Sequence, residues 1–210
     1  MSVHPLLGAI QQSMTFSGRL EADVSRLLHM HHCPKTAEHS VRVGREAERL
    51  AAAFGGLPEA ARKAGLLHDI SAIFPNSERI RTAEALGIDI LPEEAAFPMI
   101  IHQKISRVIA QDLFQIHDVT ILDAIECHTT LKANPTRMDL IVFVADKIEW
   151  DQPGTPPYLD KLLSALDTSL EHGAFVYIQH LWNQRDRLKV IHPWLIDAYK
   201  DLEPICMKNP

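Results

Sequence analysis

Histidine and aspartate are the residues of this chain best placed to do chemistry. His39, His68, His102 and His128 each fall on the apolar stripe of a different helical segment. Imidazole is a common metal ligand and an acid or base near neutral pH. His68 is followed directly by Asp69, at the end of Gly65-Leu66-Leu67. Neighbouring side chains on a helix diverge by about 100°, so this doublet cannot clasp an ion as a His-x-x-x-His pair does. It can sit at the rim of a helix face and converge on a cluster in front of it, where a carboxylate can bridge two ions. One histidine on an apolar stripe is ordinarily a core residue bonded to backbone. Four on separate segments are different, because their stripes must share a core. Asp146 closes the apolar run Leu140–Ala145 and is expected to be buried. An unpaired buried carboxylate is costly and needs a cation or a change of protonation. A lysine or arginine would serve, although the adjacent Lys147 is expected to point elsewhere. A metal would satisfy both Asp146 and Asp69.

The elements that must position these groups read as helices. Apolar residues recur at helical spacing between Pro, Gly and Asn breaks, and few stretches alternate with period two. The first helix runs from His4 to about Ser17. The second carries Leu20, Val24, Leu27 and Leu28. A third begins at Pro34, places His39, Val43, Ala47 and Leu50 on one stripe, and stops at Gly55-Gly56. The next carries Ala61, Ala64, Leu67 and His68 inward and ends at Phe74-Pro75-Asn76. A short helix spans Ser77 to Leu86. After a kink at Pro98, Met99, His102, Ile105 and Ile109 share a face. Asp118 caps a helix with the stripe Ile121, Ala124, Ile125 and His128. Asn134-Pro135-Thr136 opens the helix that holds Asp146. The loop Asp151–Pro157 reads as a rigid wall beside a site. Helices from Tyr158 to about Lys189, interrupted near Gly173, and from Pro193 to Leu202 complete the chain.

Composition narrows the function. The net charge of -6 argues against broad nucleic-acid binding. Cys33, Cys127 and Cys206 are odd in number and far apart, which suits a reducing cytoplasm rather than a disulfide framework. Apolar runs are too short to span a bilayer, and Met1–Pro5 lacks the features of a secretory signal. The cluster His29-Met30-His31-His32-Cys33 fits no standard zinc spacing.

The ordered set His39, His68-Asp69, His102, His128, Asp146 resembles the HD superfamily of metal-dependent phosphohydrolases. Three local contexts, Ala64–Asp69, Glu126–Thr130 and Val144–Glu149, look like its branch of symmetrical dinucleoside tetraphosphate hydrolases. The resemblance covers about Lys35 to Leu202. It implies an all-α, HD-domain-like helical bundle over residues 35–210, with residues 1–34 as an N-terminal helical extension packed on it. It also implies two metal ions, iron in the first instance and otherwise manganese or zinc. His39, His68, Asp69 and Asp146 would hold one ion, and His102 and His128 the other, with Asp69 bridging. The all-N/O donor set suits these metals. The implied reaction is attack of metal-bound hydroxide on an inner phosphorus of diadenosine tetraphosphate, giving two ADP. Asp69 and His68 would be the catalytic pair. A cytoplasmic location and a homodimer are further expectations.

The chain departs from that branch at the phosphate contacts. Ala72, Leu140 and Gln152 stand where the branch has Lys, Lys and Arg, and Trp150 replaces a Pro. Lys104, Lys132, Arg137 and Lys147 are the candidate substitutes. Thr129 and Thr130 could bond a phosphate oxygen or end their helix. Trp150, Pro156, Pro157 and Tyr158 could form a base-stacking wall. An HD phosphatase of another nucleotide or a guanosine alarmone, and a non-catalytic paralogue that binds metal or nucleotide, are the alternatives.

Overall fold

The computed structural model describes residues 4–207, and these are all helix, turn and loop. Twelve α-helices follow in order: α1 (Pro5–Ser13), α2 (Leu20–Met30), α3 (Pro34–Phe54), α4 (Pro58–Leu67), α5 (Arg79–Ala85), α6 (Pro92–Ala96), α7 (His102–Asp112), α8 (Val119–Cys127), α9 (Arg137–Ile148), α10 (Leu159–Leu166), α11 (Leu170–Trp182) and α12 (Pro193–Met207). The Met1–Val3 part of the chain start lies outside the described residues. Among those residues, no helix is long and apolar enough to cross a membrane. Cys33, Cys127 and Cys206 are unpaired.

The central element is α9. Met138 through Ala145 is buried all round, as expected of a helix enclosed by others rather than lying on a surface. Thr136 caps it by accepting from the Asp139 amide, while Asp139 accepts from the Thr136 amide. Around it pack α3, α4, α8, α10 and α11. Leu7 of α1 and Val24, Leu27 and Leu28 of α2 are buried in the same core.

The α3–α4 crossing places half of the histidine cluster. A Cβ on Gly65 would lie 2.8 Å from the Gly44 Cα and 2.9 Å from the Val43 carbonyl oxygen. The two backbones therefore touch, and only glycine fits at Gly65. This close seam sets α3, with His39, beside the end of α4, with His68.

Several boundaries differ from the sequence reading: α1 stops at Ser13 rather than Ser17, α11 stops at Trp182 rather than Lys189, and three more lie nearer the cluster or α10. The helix of His68 does not run on to Phe74. It ends at Leu67, and Asp69 has φ -108 and ψ 16 before a separate 3-10 turn, Ile70–Ile73. Pro98 does not kink a continuous helix. It lies between α6 and α7, so His102 is the first residue of a new helix and Met99 lies outside it. Gly173 interrupts nothing: the break falls at residues 167–169, where Ser169 caps α11. Gly173 is buried inside α11, and a Cβ there would lie 2.6 Å from Leu166 Cδ2. Its role is close packing of α10 on α11.

Candidate metal centre and its cleft

Three of the four histidines sit at helix ends: His68 caps the end of α4, His102 begins α7, and His128 caps the end of α8. Each is oriented in the same way. The Nδ1 of His68, His102 and His128 lies 2.7, 2.6 and 2.8 Å from the carbonyl oxygen three residues upstream, of Gly65, Met99 and Ile125 respectively. Nδ1–H donates to that oxygen, which directs Nε2 into the cluster and makes it a lone pair whenever the ring is neutral. His39 comes from inside α3, and its Nδ1 is buried without a partner.

The six groups form two halves joined by one carboxylate. In the first half, His39 Nε2 lies 3.1 Å from Asp146 Oδ1 and 3.2 Å from His68 Nε2. In the second, the Nε2 atoms of His102 and His128 are 2.9 Å apart. Asp69 Oδ2 faces the first half, 3.5 Å from His68 Nε2 and 4.0 Å from His39 Nε2. Asp69 Oδ1 faces the second, 3.0 Å from His102 Nε2 and 3.5 Å from His128 Nε2. Two groupings have ligand-atom spacing fit for one ion each: His39, His68 and Asp146, and His68, Asp69 and His128.

The donor chemistry fits metal ions. Lone pairs meeting lone pairs at about 3 Å repel unless a cation or proton lies between them. Both carboxylates are held well below their usual range. Burial opposes this, but His68, His102 and His128 outweigh it at Asp69, as do Lys147, His39 and His68 at Asp146. Burial likewise opposes charge on His68, yet Asp69 and Asp146 raise it to about 9. Burial pushes His128 down to about 4, against its hydrogen bond to Asp69. Without metal, the cluster thus combines two ionised carboxylates with a ring at His68 that holds its proton and a ring at His128 that gives it up.

A cleft of about 540 Å³ opens over these groups. Thr129 lines it, with its hydroxyl 3.3 Å from His102 Nε2 and 3.2 Å from His128 Nε2. Lys147 lines it too, and corrects the sequence expectation: it does not point away but donates to Asp146 Oδ2 at 2.5 Å. The other proposed phosphate contacts lie elsewhere. Lys104 is buried and paired with Glu94 at 2.8 Å. Lys132 is 3.2 Å from Asp139, Arg137 donates to the Gly55 carbonyl, and Thr130 is buried beside Gln103. Each is held away by a partner that its own helix or a neighbour supplies. Of the expected wall, Trp150 lines the cleft, while Tyr158 lies behind it, edge-on to Trp150 and bonded to the Lys147 carbonyl. Pro156 is buried, and neither it nor Pro157 lines the cleft. The His29–Cys33 run joins no metal-type cluster among the described residues. The sequence reading missed Arg79, Phe97 and Tyr177, which also line the cleft. Phe97 was flagged only by the break at Pro98. Arg79 and Tyr177 do share helix faces with buried Ala83 and Ala174, but those short apolar patterns say nothing of a cleft.

The all-helical core thus brings four histidines and two aspartates into one cluster with the donor spacing of a metal-binding protein. Residues 36–151 match the HD domain family. The chain therefore belongs to the HD domain family of metal-dependent phosphohydrolases. It is 54% identical, over 140 residues covering 67% of this chain and 71% of the relative, to a Lactococcus lactis subsp. cremoris protein described only as an uncharacterized protein in the pepC 5' region. It is 31% identical over 131 residues to the symmetrical bis(5'-nucleosyl)-tetraphosphatase of Staphylococcus aureus, covering 61% of this chain and 64% of that one. The crystal structure of a Clostridium acetobutylicum protein, described as a predicted HD superfamily hydrolase involved in NAD metabolism, superposes with a TM-score of 0.79 at 26% identity, covering 91% of this chain and 99% of that one.

Proposed function

We propose that this chain is a dinuclear phosphohydrolase that cleaves a dinucleoside tetraphosphate symmetrically, diadenosine tetraphosphate yielding two ADP. The observation that carries the reading is the division of Asp69, with one oxygen toward His39 and His68 and the other toward His102 and His128. In this reading His39, His68, Asp69 and Asp146 hold one ion, and Asp69, His102 and His128 the other. The donor set suits iron, manganese or zinc. When bound, such a pair supplies Lewis acidity that activates water and offsets charge at phosphorus.

The chain's own groups do the rest. Asp69 lies between the halves and orients the attacking water. The i−3 carbonyls fix the tautomers of His68, His102 and His128. Lys147 holds the Asp146 carboxylate in place and ionised. Thr129 offers a hydroxyl at the mouth of the second half. Phe97, Trp150 and Tyr177 give the cleft aromatic surface against which a nucleobase can lie. The S. aureus relative, by its name a symmetrical tetraphosphatase, supports the substrate.

A second reading is a phosphatase of another nucleotide, or a binding protein without turnover. Ala72 and Gln152 favour it, since both line the cleft and neither carries charge, and Leu140 is buried in the core. A nucleotide panel with products resolved by chromatography separates the two. Two nucleoside diphosphates from a tetraphosphate, lost in Asp69→Ala with helical circular dichroism intact, is the expected result. Release of phosphate or pyrophosphate from a mononucleotide, or binding without turnover under every metal, would replace it with the second reading.

A further inference from the structure

Arg79 opens α5 and lines the cleft. Its residue exposure is 9%, so its guanidinium is largely removed from water. Arginine remains charged when buried, and a buried charge without a counter-charge is costly. Arg79 Nη1 donates to the Met99 carbonyl at 3.1 Å and touches Met99 Sδ, both uncharged. Its Nε is buried with no acceptor. Asp69 is the acidic group whose charge acts on it, and Asp69 is already turned to the four histidines.

The other cation of the cleft is committed. Lys147 Nζ donates to Asp146 Oδ2 and the His128 carbonyl, and lies 5.1 Å from the ring centres of both Phe143 and Tyr177. Among the described residues that line the cleft, Arg79 is thus the cation with no acidic partner of its own. Arg79 is bonded to the Met99 carbonyl that also receives His102 Nδ1, while Lys147 is bonded to Asp146. One cation of the cleft is committed to Asp146, and the other, Arg79, meets only uncharged acceptors and keeps an unpartnered Nε, which leaves it able to take an anion.

We propose that Arg79 is the phosphate-binding residue of the cleft, taking a phosphoryl group of the substrate at the His102 end through its planar donor fork. The proposal rests on the phosphohydrolase reading for the identity of the substrate, though not for the presence of an anion site. It also accounts for how the cleft works with uncharged Ala72 and Gln152: the charge arrives from α5 instead.

The simpler role for Arg79 is to brace the Met99 carbonyl, which also receives His102 Nδ1. Arg79→Gln separates the two, because the amide keeps an N–H donor and loses the charge. Calorimetric titration of the metal-loaded full chain with inorganic phosphate, and separately with ADP, reads anion affinity; metal analysis of the same samples reads the centre. Loss of a charged hydrogen bond predicts about 10- to 100-fold weaker binding in Arg79→Gln, with metal content unchanged and Arg79→Lys recovering part of the affinity. Equal affinity in Arg79→Gln and the parent overturns the proposal, as does a parent chain that binds no phosphate. Parallel loss of metal and phosphate also overturns it, and assigns Arg79 to Met99 and His102. Arg79-dependent phosphate binding by a chain that hydrolyses no nucleotide removes the hydrolase reading and leaves the anion site standing.

Discussion

His102 and His128 face each other Nε2 to Nε2 at 2.9 Å, and each has an Nδ1–H directed at a carbonyl three residues before it. Neither ring can turn its lone pair away without breaking that bond. The pair is a contact that only a shared cation or proton makes favourable. Bound metal therefore acts on stability as well as on reactivity. Chelation is expected to abolish hydrolysis and lower the unfolding midpoint, and a return of metal to restore both. A ligand at 100 times its dissociation constant contributes about 2.7 kcal/mol. Thermal unfolding monitored with and without chelator, on one preparation, measures it. An unchanged midpoint would show that the rings meet over a proton instead.

Gly65 carries two duties at one position. Its Cα lies against Gly44, and its carbonyl accepts from His68 Nδ1. Gly65→Ala is expected to destabilise by about 1–3 kcal/mol through overpacking, and to lower metal content as His68 shifts with α4. Gly44→Ala is expected to be milder, because the new Cβ would lie 3.0 Å from Leu66 Cγ and 3.2 Å from the Arg62 carbonyl oxygen, against backbone atoms at 2.8 and 2.9 Å for Gly65. Denaturant unfolding and metal analysis of both variants test the order.

Lys104 makes a different prediction from a substrate contact. It is buried, donates to Glu94 and to the Asp89 carbonyl, and shares Glu94 with His192. Removing one partner of a buried pair leaves the other charge stranded, at about 3–5 kcal/mol. Lys104→Met should therefore unfold at much lower denaturant while the folded fraction keeps its affinity for nucleotide. A variant of full stability and weakened affinity would return Lys104 to the substrate.

Asp23 ties the α1–α2 connection to α2. It accepts from the Ser17 amide and hydroxyl and the Gly18 amide, at 2.8 to 3.1 Å. Burial would raise its pKa, but these donors hold it below its ordinary value. A carboxylate depressed on folding adds stability above its unfolded pKa, about 3.9, and that stability fades as pH falls through the lower folded value. Asp23→Asn is expected to cost about 1–3 kcal/mol at neutral pH. It should lose less stability than the parent as pH falls below about 4. Urea midpoints across pH 3 to 7 provide the comparison.

Helix content and the ligand candidates were legible in the sequence because burial writes a period into it. Ile121, Ala124 and Ile125 point where His128 points, and Asp146 stands out because six apolar residues precede it. What stayed hidden was set by contacts without a period. The turn at Asp69 leaves no proline or glycine to mark it. Lys147 looked outward by helical angle, yet a four-carbon stem lets its ammonium reach back to the neighbouring carboxylate. Arg79 shares its face of α5 with buried Thr82 and Ala83, but in a helix of seven residues one alanine at i+4 is too little to mark an inward cation. Gly173 read as a breaker because packing against Leu166 needs a partner that a linear pattern does not contain.

Placing His68 and His128 at the last turns of α4 and α8 makes each helix a ruler. One residue inserted anywhere upstream in α4 would swing His68 by about 100° and advance it about 1.5 Å. A conservative exchange along the apolar face would leave it in place. Among descendants of this chain, exchanges within the α4 interior should be tolerated far more often than insertions or deletions there.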